Sequence, residues 1–400
     1  MDQGHARAVG LAPAPLAHEA RGARGDPPRG TLILGKVRPD VGHCRVVHVV
    51  YLHPALVCSG TTERLLASLG AAREAGLRAT VLSRPGSRTL ALQQTGAELL
   101  HVELPEPAWR EPFAAWRTRS VVRRLAPDLL HVTDDRLAGL AAALSASLRI
   151  PYLLEVARQV RKPTLRSHGL LRAILLPCPT FVERAVNRGR ADRTLLRVLE
   201  NGPSIERPWE PHDLDNERLP CIGALGYLDE DHGTQTLIDA AQLLRARGRH
   251  LRFVVLGEGP RDEALRRRVR EKGVHDTFTI AAPAMTDLAG LMLELDLHAS
   301  CTLEGGAGWL ADRALGLGIP SIFSAVSSSL HQITDERNAL LYEPGNAPEL
   351  AERIAAVLDD PDGASEMGLR ARTAALEARR TQAYRRALTE LYEELRPAVV

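Results

Sequence analysis

Glu304 and Asp312, separated by seven residues in Leu303-Glu-Gly-Gly-Ala-Gly-Trp-Leu-Ala-Asp312, are the side chains whose spacing most suggests chemistry. An apolar run at 295–300 leads into a loop carrying Gly305, Gly306 and Gly308, and a helical pattern then runs to Gly318-Ile319-Pro320, where a new strand begins. A glycine loop opening a helix behind a parallel strand turns bare N–H groups and the positive helix end toward an anion, while carboxylates accept hydrogen bonds from hydroxyls. A phosphorylated sugar presents both partners. A second glycine turn, Val255-Leu-Gly-Glu-Gly-Pro260, places Gly257 and Gly259 where the backbone turns closely. Pro260 suits a first helical turn, because its missing N–H would have no partner there. An ordinary strand-to-helix turn uses the same residues.

The elements that must hold these loops alternate along the chain. In the first half, β-branched and apolar runs predict strands at 45–51, 79–82, 129–132, 152–156, 174–176 and 195–199. Between them, apolar residues at helical spacing predict helices at 61–75, 111–125, 136–148 and 180–188. Periodicity lapses at 200–220, where Asn201-Gly-Pro203, Pro208 and Pro211 read as a linker. The alternation then resumes with strands at 221–225, 253–256 and 278–281 and helices at 233–247, 260–272 and 285–293. This pattern is α/β, two doubly wound, Rossmann-like halves facing a cleft. The expected division is a disordered N-terminal tail at 1–43, a first domain at 44–203, a second at 204–362 and a helical segment at 363–400 that packs back on the first.

Composition narrows the function. At 400 residues the chain is long enough for two ordinary domains. Lys+Arg of 51 against Asp+Glu of 49 gives a net charge of +2, so no global field points to nucleic acid. Five scattered cysteines without a Cys-x-x-Cys fit a reducing cytoplasm and neither a disulfide framework nor a zinc site. The apolar run at 31–34 is too short for a signal-peptide core or a membrane span.

Read in order, the motifs resemble glycosyltransferase family 4, the retaining, GT-B-fold members of the glycosyl transferases group 1. Gly60-Thr-Thr-Glu-Arg64 resembles that family's Gly-Gly-Thr-Glu-Arg turn after the first strand, and Glu200-Asn-Gly202 its Asn-Gly before the linker. Val255–Pro260 resembles its Gly-x-Gly-Pro, Glu304 to Asp312 its Glu-(seven residues)-Glu signature, and Leu340-Leu-Tyr-Glu-Pro-Gly345 its closing motif. The resemblance implies transfer of a hexosyl-type sugar, with retention, from a nucleotide-diphosphate sugar to a glycan or lipid-linked acceptor, without an obligatory cofactor or metal. It assigns Glu304 to the donor sugar, Asp312 to the ribose hydroxyls, and Gly257, Gly259, Gly305, Gly306, Gly308, Ser327 and Ser328 to the donor. Gly60 and Glu63 fall on the acceptor side.

The sequence also departs from the family. Ala224 and His232 stand where an Arg and a Lys usually neutralise the leaving diphosphate, and histidine carries only a fraction of a charge at neutral pH. Ala157 or Arg158 stands at a usual histidine, and Ser327-Ser328 at a usual Gly-Gly. Asp229, Glu230 and Asp231 lie beside the expected diphosphate and would repel it. Arg158, Arg161 and Lys162, in the loop after the 152–156 strand, offer replacement charge for donor phosphates, an anionic acceptor or the inner membrane face. A solvated basic loop accounts for them equally. Two functions stay open: an active transferase in polysaccharide or glycolipid synthesis, and a catalytically degenerate scaffold or sugar-binding partner.

Overall fold

The computed structural model describes residues 46–105, 112–156, 169–200, 208–211, 218–283, 287–304, 308–326, 330, 333–378 and 380–395. Its first half is a seven-stranded parallel sheet of β1 (His48–Ala55), β2 (Arg78–Arg84), β3 (Glu98–His101), β4 (Leu129–Val132), β5 (Tyr152–Glu155), β6 (Leu171–Leu176) and β7 (Leu196–Val198), in the order β3-β2-β1-β4-β5-β6-β7. Alternate residues of β1 serve opposite faces, as strand periodicity requires. Val50 and Leu52 meet the buried side chains of α3 (Pro112–Leu125) and α4 (Ala138–Leu148). Val49 and Tyr51 meet α1 (Gly60–Glu74) and α12 (Arg380–Glu394).

The second half is a six-stranded parallel sheet of β8 (Cys221–Leu225), β9 (Arg252–Leu256), β10 (Phe278–Ala281), β11 (Leu297–Ser300), β12 (Ser321–Ser324) and β13 (Leu340–Tyr342), in the order β10-β9-β8-β11-β12-β13. Helices α6 (Thr234–Ala246), α7 (Asp262–Glu271), α8 (Leu288–Leu293), α9 (Trp309–Leu317) and α10 (Ala347–Asp359) flank it. Both sheets are α/β and doubly wound. In each, strand order reverses beside the first strand, between β1 and β4 and between β8 and β11, and the loops at such switch points form the binding crevice of this architecture.

Four elements have no counterpart among the sequence expectations: β3, β13, α10 and the short helix α2 (Thr89–Gln93). β3 and α2 are one strand-edge excursion, and two of the four β3 residues are exposed, so its apolar signal is weak. The first strand begins at His48 rather than Arg45. Inside the expected linker, Trp209 is docked: its N–H donates to the Leu317 carbonyl at 2.7 Å and its indole Nε1 to the Leu295 carbonyl at 2.8 Å. The C-terminal segment divides between the halves. α11 (Pro361–Ala378) lies on α9, so closely that a Cβ on Gly368 would stand 2.1 Å from the Gly318 carbonyl oxygen. α12 lies on α1, anchored where Tyr392 shares its hydroxyl with Tyr51 at 2.6 Å and His131 at 2.7 Å. Among the described residues no helix is long and apolar enough to cross a membrane.

Candidate functional site

The carboxyl-edge loops of the second sheet are stitched together at its switch point. Gly226 continues β8 with its N–H on the Leu256 carbonyl of β9 at 3.1 Å. Leu228 donates to the Glu258 carbonyl at 3.1 Å and accepts from Arg261 N at 2.9 Å. On the other side, Leu303 N donates to the Asp231 carbonyl at 2.7 Å. Gly233, at φ +61°, presses against the β11 loop, where a Cβ would meet the Cys301 carbonyl oxygen at 2.0 Å. His232, exposed Glu304, and Gly308 and Asp312 at the start of α9 therefore lie along one edge of the second sheet, at its switch point.

Gly257 and Gly259 have a different use from the one their motif implies. A Cβ on Gly257 would stand 2.1 Å from the Gly226 carbonyl oxygen, and one on Gly259 2.5 Å from that of Leu228. They let the β9 loop lie against the β8 loop, so their tight contacts are with protein backbone.

The acids that should repel a diphosphate are engaged. Asp229 accepts from the His232 backbone N–H at 3.0 Å and pairs with His232 Nδ1 at 2.7 Å. Arg261 Nη1 sits 2.7 Å from Glu230 Oε1. Asp229 thus fixes the imidazole by one nitrogen and leaves Nε2 as its other polar atom. Ala224 lies in the second core, so β8 sends no cation into the crevice there.

The first sheet's loops close on the second's. Cys58 N and Ser87 N each reach Glu258 Oε1 at 3.3 Å, and Ser87 Oγ donates to the same oxygen. Glu63, in the first turn of α1, is buried between Arg88 of the first half at 2.8 Å and Arg313 of α9 at 3.2 Å. That carboxylate ties the loops of the two halves together and is closed to solvent. Gly60 opens α1 behind Ser59, whose side chain accepts from Thr62 N at 3.2 Å. His53, buried at the end of β1, bridges Thr133 and Thr62 at 2.7 and 3.1 Å. Burial lowers its pKa to about 4, and burial raises that of the Cys58 thiol to about 12, so neither group ionises near neutrality.

Behind this edge, Arg64 pairs with Glu155 and lies 5.0 Å from the centre of the Tyr384 ring, and His131 Nε2 sits 2.8 Å from Glu155. Burial alone would raise the Glu155 pKa, but Arg64 and His131 hold it below the usual range. Trp309, the first residue of α9, packs edge-on against Tyr384 at 5.8 Å, so the C-terminal helix touches the crevice wall.

Of the residues singled out by sequence, the structure brings Gly257, Gly259, Gly308, His232, Glu304 and Asp312 to one edge. Asp312 is buried in the first turn of α9, with its N–H on the Gly308 carbonyl at 2.7 Å. Ala157, Arg158, Arg161, Lys162, Gly305, Gly306, Ser327 and Ser328 lie outside the described residues. Sequence reasoning missed Ser87, Arg88, Glu258 and Arg313. Glu258 alone carried a signal, as the unassigned position inside Gly-x-Gly-Pro.

Residues 217–360 match the family model for glycosyl transferases group 1. The chain is 28% identical over 272 residues to the 2-deoxystreptamine glucosyltransferase of Streptomyces kanamyceticus, covering 60% of this chain and 70% of that protein. It is 24% identical over 351 residues to the lipopolysaccharide core biosynthesis glycosyltransferase LpsD of Rhizobium meliloti, covering 86% and 97%. Its fold matches Anabaena Alr3699/HepE, solved in complex with UDP-glucose, at a TM-score of 0.72 and 16% identity, over 87% of this chain and 99% of that one. Two parallel sheets meet at their carboxyl edges, the match to the glycosyl transferases group 1 spans the second of them, and the chain has the GT-B fold.

Proposed function

We propose that the chain transfers a hexosyl-type sugar, with retention, from a nucleotide-diphosphate sugar on the second sheet to a glycan or lipid-linked acceptor on the first, in polysaccharide or glycolipid synthesis. The observation that carries this is the stitched β8–α6 and β11–α9 edge, which sets His232, Glu304 and the start of α9 around one crevice opposite the first sheet's loops. In this reading Glu304 bonds the donor sugar and Asp312 the ribose, so their chemistry is recognition. His232, oriented by Asp229, donates from Nε2 to the leaving diphosphate when protonated. No metal or cofactor is required. The UDP-glucose complex of Alr3699/HepE supports a nucleotide-sugar donor.

Calorimetry with a panel of UDP-, GDP- and ADP-sugars tests the proposal. One donor should bind at submillimolar concentration, and Glu304→Ala should weaken it. No binding by any donor would sink the reading. Binding without turnover on any acceptor would favour the degenerate scaffold, which the loss of a cation at Ala224 already recommends.

A further inference from the structure

Helix α3 carries a face that none of the described elements covers. Phe113 and Trp116 are 72% and 61% exposed, with their rings stacked at 5.9 Å. The opposite face is packed: Thr118 and Val122 are buried, and Ala115, Val121 and Leu125 lie against the first core. Arg119 turns aside to Ser147 of α4 at 3.1 Å. At about 100° per residue, Phe113, Trp116, Arg117, Ser120, Arg123 and Arg124 fall in one arc, roughly a third of the circumference, directly away from Val122. Arg117, Arg123 and Arg124 are exposed, and the span Pro112–Leu125 contains no acid.

We propose that this stripe seats the protein on an anionic lipid surface, with the α3 axis in the plane of the interface. The proposal stands independently of sugar transfer. Two adjacent aromatic rings left in water favour an apolar partner, and indole is suited to the headgroup boundary, where one edge is apolar and the other wet. Arginines beside them, uncompensated by acids of their own helix, match anionic headgroups in sign. Size favours lipid over protein. The stripe is about 21 Å long and about 10 Å wide, roughly 200 Å², whereas a stable protein interface takes about 800 Å² from each partner. Insertion of a few anchors backed by charge needs no such area.

Flotation of the full chain with vesicles tests this. The protein should rise with phosphatidylcholine vesicles containing phosphatidylglycerol, stay down with pure phosphatidylcholine, and release as salt is raised. Phe113→Ser with Trp116→Ser should abolish flotation. Replacing Arg117, Arg123 and Arg124 together by Ser should weaken it about 100-fold, at roughly fivefold per arginine. Because all five side chains are solvent-facing, circular dichroism should show both variants folded. Should either unfold, Trp116→Phe gives a second readout: brominated lipid should quench the fluorescence of the original chain and lose most of that quenching in this variant. Absence of flotation, equal flotation with neutral vesicles, or flotation unchanged by both sets of substitutions would overturn the proposal. So would a dimer in sedimentation equilibrium that Phe113→Ser dissolves while lipid binding persists.

Discussion

His232 shows how far residue identity alone carries. Its type announces a weak cation where a strong one is usual, but only the structure pairs its Nδ1 with Asp229 and so leaves Nε2 as its other polar atom. If that nitrogen bonds the leaving diphosphate, His232→Ala should lower kcat, and Asp229→Asn should lower kcat while leaving donor binding within about twofold, since a carboxylate that orients an imidazole acts through it. An unchanged kcat in His232→Ala would remove the residue from the reaction. The place of Glu304, exposed after β11, was legible from its spacing. The roles of Gly257 and Gly259 were not, because a glycine that admits a ligand and one that admits a neighbouring loop look identical in sequence.

At the scale of elements, α1 and α9 are joined through one buried carboxylate. Glu63 faces Arg88 and Arg313, all three nearly excluded from water. Removing one partner of such a group leaves charge without its counterion in a poorly solvated place. Glu63→Gln should therefore cost about 3 kcal/mol or more in urea unfolding, and Arg313→Met less, because Arg88 remains to neutralise the acid. Combining the two should cost less than their sum. Additive losses would show that the pair across the halves contributes nothing. Strand and helix positions were legible to within a few residues wherever a run was apolar and buried on both faces, as at β4, β5 and β8. Partly exposed β3 and amphipathic α10 escaped, the one for lack of apolar continuity and the other because its buried face is partly alanine, a weak apolar signal.

The molecule as a whole should be sensitive to acid. His53 and His298 are buried and, through that burial, held neutral to about pH 4, against an ordinary value of 6.5. Between those values the unfolded chain takes up protons that the native state refuses. Stability is thus full above about pH 6.5 and declines as pH falls, by roughly 1.4 kcal/mol per pH unit for each histidine. Glu155, whose folded pKa is depressed, adds its loss at lower pH, as the carboxyl takes up its proton. Urea midpoints across a pH series should show this decline, to which His48, also lowered by burial, adds, and His298→Phe should make the slope above pH 4 shallower. A slope unaffected by that change would show that the buried imidazole is not responsible.

The sequence alone determined the two α/β halves and the place of Glu304 and Asp312 between a strand and a helix, because these depend on local periodicity and on spacings within a few tens of residues. Tertiary structure alone decided that Arg261 answers Glu230 and that Glu258 reaches Ser87. It likewise set Arg313 on Glu63, 250 residues away. Such pairs form between loops brought together only when two sheets fold and meet. No spacing along the chain encodes them, and the first sets a cation beside one of the acids at 229–231.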